Sequence, residues 1–446
     1  MKTVIMAGGM GTRIASVRSD VPKPMIEICG KPILQYQIEN LKSCGLTDIT
    51  LVIGHLGDVI KKYFGDGSKF GVSIKYFNET TPLGTAGALF KMLSPSAECE
   101  TVLDDDFLLL CGDVIFDIDF NRFIKFHKEK KAWASLMSHP NGHPYDSSLL
   151  VTEVLPPAIE GELPQDTKKV TRWLAKEDER IFYKNRVNAG LEILSPEILK
   201  AVLKAKAEGT WKPKHADNPD KIDLDRDVLK FNIPSGKIFA YDTPEYIKDM
   251  GTPDRYYETE GDIKSGKVHA RNLSSKQKAV FLDRDGTINK DVGFCRTIDD
   301  LEVLDNAKEA IKKINKSGYL AIVITNQPVI ARGEVSFEKL YEMHDKMETQ
   351  LGKEGAFVDG IYYCPHHPDK GFDGERAAYK KNCCCRKPKS GLFEMAAQDF
   401  NIDLSQSYMI GDSHRDMEAG KNAGCRDCIL VDESNTILDA VNKILG

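Results

Sequence analysis

AVFLDRDGTIN, residues 279–289, decides how the chain is divided. Its apolar run stops abruptly at Asp283, Arg284 and Asp285, with Gly286 and Thr287 behind them. A short run of this kind reads as a buried strand, and period-two alternation puts both carboxylates on one side if the strand persists. The chain already opens on a comparable stretch, VIMAGGMGTR at 4–13, where a strand runs into a glycine turn. Two strand-end sites so far apart imply two domains, and 446 residues are ample for both.

Working outward, KTVIMA, ITLVIG, SIKYF and FLLLC read as buried strands of the first half, and KAVFL, YLAIVIT, SYMIG and CILV as those of the second. PILQYQIENLKSCG, LDNAKEAIKKINKSG and SFEKLYEMHDKMETQLG carry helical apolar spacing between them, with serine and glycine as start and stop signals. The alternation predicts an α/β fold, two doubly wound and mostly parallel-sheet domains. Residues 257–278 are polar and without apolar periodicity, so we expect domains at 1–258 and 278–446 joined by a linker at 259–277. PPAIEGELPQDTK, residues 156–168, reads as a turn-rich excursion within the first domain.

Hydrophobic content of 41% and charged content of 29% suit globular domains with cores. A formal charge of −6 argues against a nucleic-acid partner, which demands a basic surface, and leaves room for small phosphorylated substrates. No run reaches the ~18 apolar residues of a membrane span, and no signal peptide opens the sequence. Eleven cysteines, three of them adjacent at 383–385, suit reduced thiols or a metal site in a cytoplasmic protein better than a disulfide scaffold. A homo-oligomer is left open.

In the first domain, Gly8, Gly9, Gly11 and Thr12 form a turn where backbone N–H groups could approach a phosphate, and Arg13 adds a planar fork. The turn lacks the third glycine of the dinucleotide fingerprint and the Gly-Lys-Ser/Thr of a P-loop, and alone it could be a tight strand–helix connection. Lys23 sits between two prolines, and TPLGTAGAL supplies a second glycine turn with Gly84, Thr85 and Gly87. Asp113 ends the strand FLLLCGD, and Asp249 precedes Gly251-Thr252-Pro253. Two carboxylates beside ligand phosphates suit Mg²⁺.

In this order the motifs resemble the sugar-1-phosphate nucleotidyltransferase family, over essentially all of residues 1–258, which implies a Rossmann-like fold. The resemblance implies in-line attack of a sugar 1-phosphate oxygen on the α-phosphorus of a nucleoside triphosphate. Arg13 and Lys23 would stabilise the triphosphate, and Asp113 with Asp249 would hold Mg²⁺. Lys176, Asn188 and Gly190 would bind the sugar phosphate. The family often has glutamate before that later lysine, where this chain has Ala175.

In the second domain three later elements argue against a mere acidic turn: Thr325 at the end of an apolar strand, Lys387 in CRKP, and Asp412 in YMIGDSHRDM. Together they resemble the haloacid-dehalogenase-type phosphatases, over residues 278–446. The resemblance implies that Asp283 attacks phosphorus, that Asp285 protonates the leaving oxygen and then activates water, and that Thr325, Asn326, Arg386 and Lys387 bind phosphoryl oxygens. Asp283, Asp412 and the Asp285 carbonyl would hold a second Mg²⁺.

CPHH at 364–367 and NCCCRK at 382–387 offer soft thiolates plus imidazole, a set that favours structural Zn²⁺. The expected ligands are Cys364, His366, Cys383 and Cys385, with Cys384 and His367 as spares and a loop of free thiols as the alternative. Cys425 and Cys428 lead into an apolar strand and read as core thiols. These motifs narrow the resemblance to the heptose 1,7-bisphosphate phosphatases or the related histidinol-phosphate phosphatases, with Pro328-Val329 where the former usually have Ser-Gly. HPYDSS at 143–148 and GGMGTRIASV draw the first domain toward guanylyltransferases that make a GDP-heptose. The expectation is a bifunctional enzyme. Its alternatives are another base (CTP, UTP, dTTP) or sugar phosphate, or one domain serving as a non-catalytic sugar-phosphate sensor.

Overall fold

The computed structural model of the chain describes residues 1–8, 21–95, 100–215 and 218–446. It divides into two compact units: Met1–Ser138, Lys168–Trp173 and Asn188–Asn272 form the first, and His139–Thr167, Leu174–Val187 and Leu273–Gly446 form the second.

In the first unit the expected strands lie side by side. Ser73–Asn78, Asp48–Ile53, Lys2–Met6 and Phe107–Cys111 are all parallel, in that order. Their buried residues are mostly apolar because helices cover the sheet, as Ile33–Ser43 does with Leu34, Ile38 and Leu41. Beyond Phe107–Cys111 the sheet turns mixed. Val187–Leu194 runs antiparallel beside it, and Ala134–His139 and Ile238–Asp242 pair in parallel.

Two expectations change here. Residues 259–277 are not simply an extended linker, because they begin within the helix Pro253–Lys264 and continue through the helix Lys267–Ala270. Thr252 caps the longer helix by accepting from Arg255 N–H. In this stretch Ile263 and Val268 join a hydrophobic cluster and Leu273 is buried. The remaining anchors are polar: Tyr246 donates to Asp262 at 2.9 Å, and Lys267 reaches the same carboxylate at 3.2 Å. Apolar periodicity therefore gave no sign of it. The excursion at 156–168 is also shorter than expected, since the strand Gln165–Leu174 starts inside it, burying Val170 and Trp173 among charged neighbours.

The second unit holds a five-stranded parallel sheet in the order Gly360–Cys364, Tyr319–Asn326, Lys278–Leu282, Tyr408–Gly411, Asp427–Leu430. The central strand splits its side chains between two cores. Val280 and Leu282 join one, and Ala279 and Phe281 the other, so both faces are covered by helices. Strand order reverses direction at that central strand, where open α/β sheets place their ligand crevice. Among the described residues, no helix is long and apolar enough to cross a membrane.

Candidate active sites

The central strand of the second unit ends on Asp283, whose N–H donates to Ile410 O at 2.9 Å. Parallel register puts Thr325 at the penultimate residue of one flanking strand and Asp412 just past the end of the other. Lys387 closes the group. Its Nζ lies 2.8 Å from Asp283 Oδ1, 2.6 Å from Asp416 Oδ1 and 3.0 Å from Ile324 O. Only 2% of this lysine is exposed, so its charge is held by these three acceptors alone. Asn326 grips its backbone twice: Asn326 Nδ2 donates to Lys387 O, and Lys387 N–H donates to Asn326 Oδ1. Asn326 therefore positions the lysine here. Thr325 Oγ1 accepts from Gln327 Nε2, and Arg386 donates to His366 O.

Burial pushes the Asp283 carboxyl up to about 7, with Lys387 opposing and Asp416 reinforcing the rise. Asp285 goes the other way. Burial would raise it, but the buried Arg284 beside it and hydrogen bonds from Asn289 and Gln327 hold it down at about 2. Arg284 contacts both carboxylate oxygens, at 2.8 and 2.9 Å. As placed, Asp285 is an ionised acceptor, and it can give a proton only after that fork is exchanged.

The group opens onto a cavity of about 300 Å³ lined by Asp283, Thr325, Arg386, Lys387, Asp412 and Arg415 among others. Carboxylate oxygens of Asp283, Asp412 and Asp416 lie within 4.8 Å of one another, an all-oxygen donor set that suits Mg²⁺. Asp416 escaped the sequence reading. Its signal was the capping box Ser413–Asp416, which opens the helix His414–Ala423 and aims that carboxylate inward. Gly286 is needed for this geometry: its φ is +79°, and an added Cβ would sit 2.2 Å from Asp412 Oδ2. Gly286→Ala is expected to lower turnover at this site by about 10²-fold, as a displaced carboxylate does, with an unchanged circular dichroism spectrum.

The four soft ligands also converge. Cys364, Cys383 and Cys385 sulfurs lie 3.2–3.4 Å apart, and His366 Nδ1 is 3.6 Å from Cys364 and 3.4 Å from Cys385. Tetrahedral zinc with ~2.3 Å sulfur bonds needs sulfurs about 3.8 Å apart, so the cluster needs only a slight expansion to hold the ion. Cys384 is exposed. Burial raises the Cys425 thiol to about 12 and raises Cys428 too, as for thiols packed against a core.

In the first unit, Gly9, Gly11, Thr12 and Arg13 lie outside the described residues. Gly8 follows the first strand, and a Cβ on it would meet Glu79 Oε2 at 2.9 Å. The strands Val114–Asp117 and Tyr246–Asp249 pair antiparallel with Asp249 opposite Val114, which brings Asp113 and Asp249 together. Met250 N–H donates to Asp113 O at 2.9 Å. Lys23 reaches Asp113 Oδ2 at 2.5 Å. For Asp249, burial acts upward, but Arg255, Gly251 N–H and Lys23 together bring it below the ordinary carboxylate value. Arg255, which the sequence reading missed, sits two residues past the motif, in the first turn of the helix Pro253–Lys264. Both carboxylates offer oxygen donors fit for Mg²⁺ while paired with cations.

Gly84 and Gly87 serve close packing: a Cβ on either would meet Ile222 O or Asp220 O at 2.4 Å. Thr85 Oγ1 accepts from Leu224 N–H at 2.7 Å. Asn188 and Gly190 lie in the first unit, Gly190 with φ +69°. Lys176 belongs to the second unit, where its Nζ lies 3.6 Å from Asp146, both side chains being exposed.

Comparison with known proteins gives two likenesses. The nucleotidyl transferase family pattern matches residues 2–266, and the HAD-hydrolase-like pattern matches residues 384–443. A D-glycero-beta-D-manno-heptose-1,7-bisphosphate 7-phosphatase of Haemophilus ducreyi is 44% identical over 156 residues, which is 35% of this chain and 83% of that protein. Among solved structures, HddC from Yersinia pseudotuberculosis complexed with GMP-PN is 24% identical, with a TM-score of 0.44, covering 59% of this chain and 99% of its own. A D,D-heptose 1,7-bisphosphate phosphatase from B. bronchiseptica, complexed with magnesium and phosphate, is 30% identical with a TM-score of 0.33, covering 38% and 98%.

Proposed function

Because the chain belongs to the nucleotidyl transferase family through residues 2–266, and to the family of the heptose-1,7-bisphosphate 7-phosphatases, we propose that its two activities act on one sugar in succession. The phosphatase removes the 7-phosphate of D-glycero-D-manno-heptose 1,7-bisphosphate. The transferase then passes GMP from GTP to the heptose 1-phosphate, giving GDP-heptose and pyrophosphate. The observation that carries the first half is the carboxylate–lysine group at the end of the central strand, where Lys387 touches both Asp283 and Asp416. The second half rests on the family match and on Lys23, Asp113 and Asp249 meeting at one place.

In the phosphatase, an oxygen of Asp283 attacks phosphorus and the bond to the sugar oxygen breaks, leaving an aspartyl-phosphate that water then cleaves. Lys387 and Arg386 bear on the phosphoryl oxygens, and Thr325 lies beside them. Once Arg284 has released it, Asp285 takes a proton from solvent, gives that proton to the leaving sugar oxygen, and as the resulting carboxylate takes a proton from the water that attacks the aspartyl-phosphate. Asp283, Asp412 and the Asp285 carbonyl would hold Mg²⁺, which when bound would neutralise charge on the phosphoryl group and favour the ionised form of Asp283 against the upward push of burial. Zn²⁺ on Cys364, His366, Cys383 and Cys385 is structural.

In the transferase no covalent intermediate is needed, and positioning with charge neutralisation carries the rate. Arg13 and Lys23 hold the triphosphate, with Gly8, Gly9, Gly11 and Thr12 beside them, and Lys176, Asn188 and Gly190 hold the sugar phosphate. Asp113 and Asp249 would hold Mg²⁺, which would neutralise charge on the triphosphate. The substrates are small molecules of the cytoplasm.

A nucleotide screen tests the reading. With heptose 1,7-bisphosphate and Mg²⁺, the chain is expected to release phosphate with any nucleotide present and pyrophosphate with GTP. Pyrophosphate from CTP, UTP or dTTP but not from GTP would sink the guanylyl assignment and leave the phosphatase assignment standing.

A further inference from the structure

Residues 156–168 were expected to form a turn-rich excursion within the first domain, yet 159–163 lie in the second unit, against the cysteine–histidine cluster. His366 Nε2 is 3.0 Å from the Gly161 carbonyl oxygen. A carbonyl only accepts, so Nε2 carries the proton and Nδ1 keeps its lone pair, on the side where Cys364 and Cys385 stand. Lys381 Nζ donates to the same Gly161 oxygen at 2.7 Å, and Tyr379 OH donates to Glu162 O at 3.0 Å. Leu163 packs on the apolar core of the unit.

Gly161 can do this only as glycine. Its φ is +95°, and a Cβ there would lie 2.6 Å from Ala378 O. His366 is 6% exposed, so water has little access to replace the carbonyl.

We infer that residues 159–163 form a clasp that positions the metal site: the Gly161 carbonyl fixes the tautomer and ring orientation of His366 so that Nδ1 faces the three thiolates. The inference rests on the zinc reading. A metal-bound imidazole is ordinarily oriented by an acceptor on its other nitrogen, and loss of such a partner commonly weakens metal binding 10- to 100-fold. What is unusual here is the source of the acceptor, which lies 205 residues upstream of the ligand it orients. Linkage makes the effect reciprocal, so bound zinc stabilises the clasp as the clasp stabilises zinc.

Zinc release from the full chain to a chromogenic chelator tests this. Gly161→Val is expected to release zinc about 10-fold faster than the unaltered chain. In the same variant the His366 Nε2–H proton is expected to exchange with water faster, which a general loosening elsewhere would not single out. Unaltered full-length protein gives a second measurement that does not depend on the variant folding: amide-exchange protection of 159–163 is expected to fall when zinc is stripped. Equal release rates in a folded Gly161→Val, or protection unchanged by stripping, would overturn the clasp while leaving the zinc site in place. Unaltered protein that contains no zinc by elemental analysis would overturn the zinc reading, and the clasp's role with it.

Discussion

Asp283→Asn is expected to reduce phosphate release from heptose 1,7-bisphosphate by about 10⁴-fold or more, because it removes the attacking oxygen and not an auxiliary charge. The fold is expected to survive. Lys387 keeps Asp416 at 2.6 Å and Ile324 O at 3.0 Å, so no buried cation is left without a partner. The substitution is nearly isosteric, and the Asp283 N–H continues to bond Ile410 O. With heptose 1-phosphate supplied, pyrophosphate formation from GTP is expected to continue at the rate of the unaltered chain. The measurement is a pair of coupled assays, one for phosphate and one for pyrophosphate, on the same preparation. Retention of more than a hundredth of the phosphatase rate would remove Asp283 from the nucleophile's role.

Asp113→Asn is the counterpart in the first unit. It removes one charge from the pair expected to hold Mg²⁺ and deprives Lys23 of its carboxylate partner. A loss of about 10²- to 10³-fold in transferase turnover is expected, the size usual for removing one preorganised electrostatic contact. The Asp113 carbonyl still accepts from Met250 N–H, and the side chain is 36% exposed, so folding is not at stake. Phosphate release is expected to be unaffected, and excess Mg²⁺ is expected to recover part of the rate. An unchanged pyrophosphate rate at limiting Mg²⁺ would show that Asp113 does not serve the metal.

The parallel cores were legible because buried parallel strands are apolar throughout. KAVFL, YLAIVIT and FLLLC are strands at or within a residue or two of the positions their composition marks. The convergence of Cys364, His366, Cys383 and Cys385 was legible because thiolates and imidazole at short spacing have few other reasons to cluster. What stayed hidden depended on polar contacts, which leave no period in a sequence. The helix Pro253–Lys264 extends into residues expected to be a linker because its continuation is anchored through Asp262, Tyr246 and Lys267. Arg284 lay in plain view between two aspartates, but nothing in D-R-D says that its guanidinium folds back onto Asp285. Asp416 was masked by its neighbour Asp412, which carries the recognisable glycine. The antiparallel strand Gln165–Leu174 was obscured by its lysines, threonines and arginine, which alternate with only two fully buried apolar residues.

The interleaved make-up of the second unit sets the order in which a ribosome can finish it. Residues 139–167 and 174–187 leave the exit tunnel early, but the strands that complete their unit begin only at Lys278. Everything the first unit needs has emerged once Asn272 is out, so that unit can close during synthesis. The early pieces of the second, Leu163 among them, have their remaining partners only when the last third of the message has been read. A gene cut near residue 272 would leave those pieces on a different polypeptide from the strands that complete their unit, and circularly permuting the chain would change which of the two units matures first.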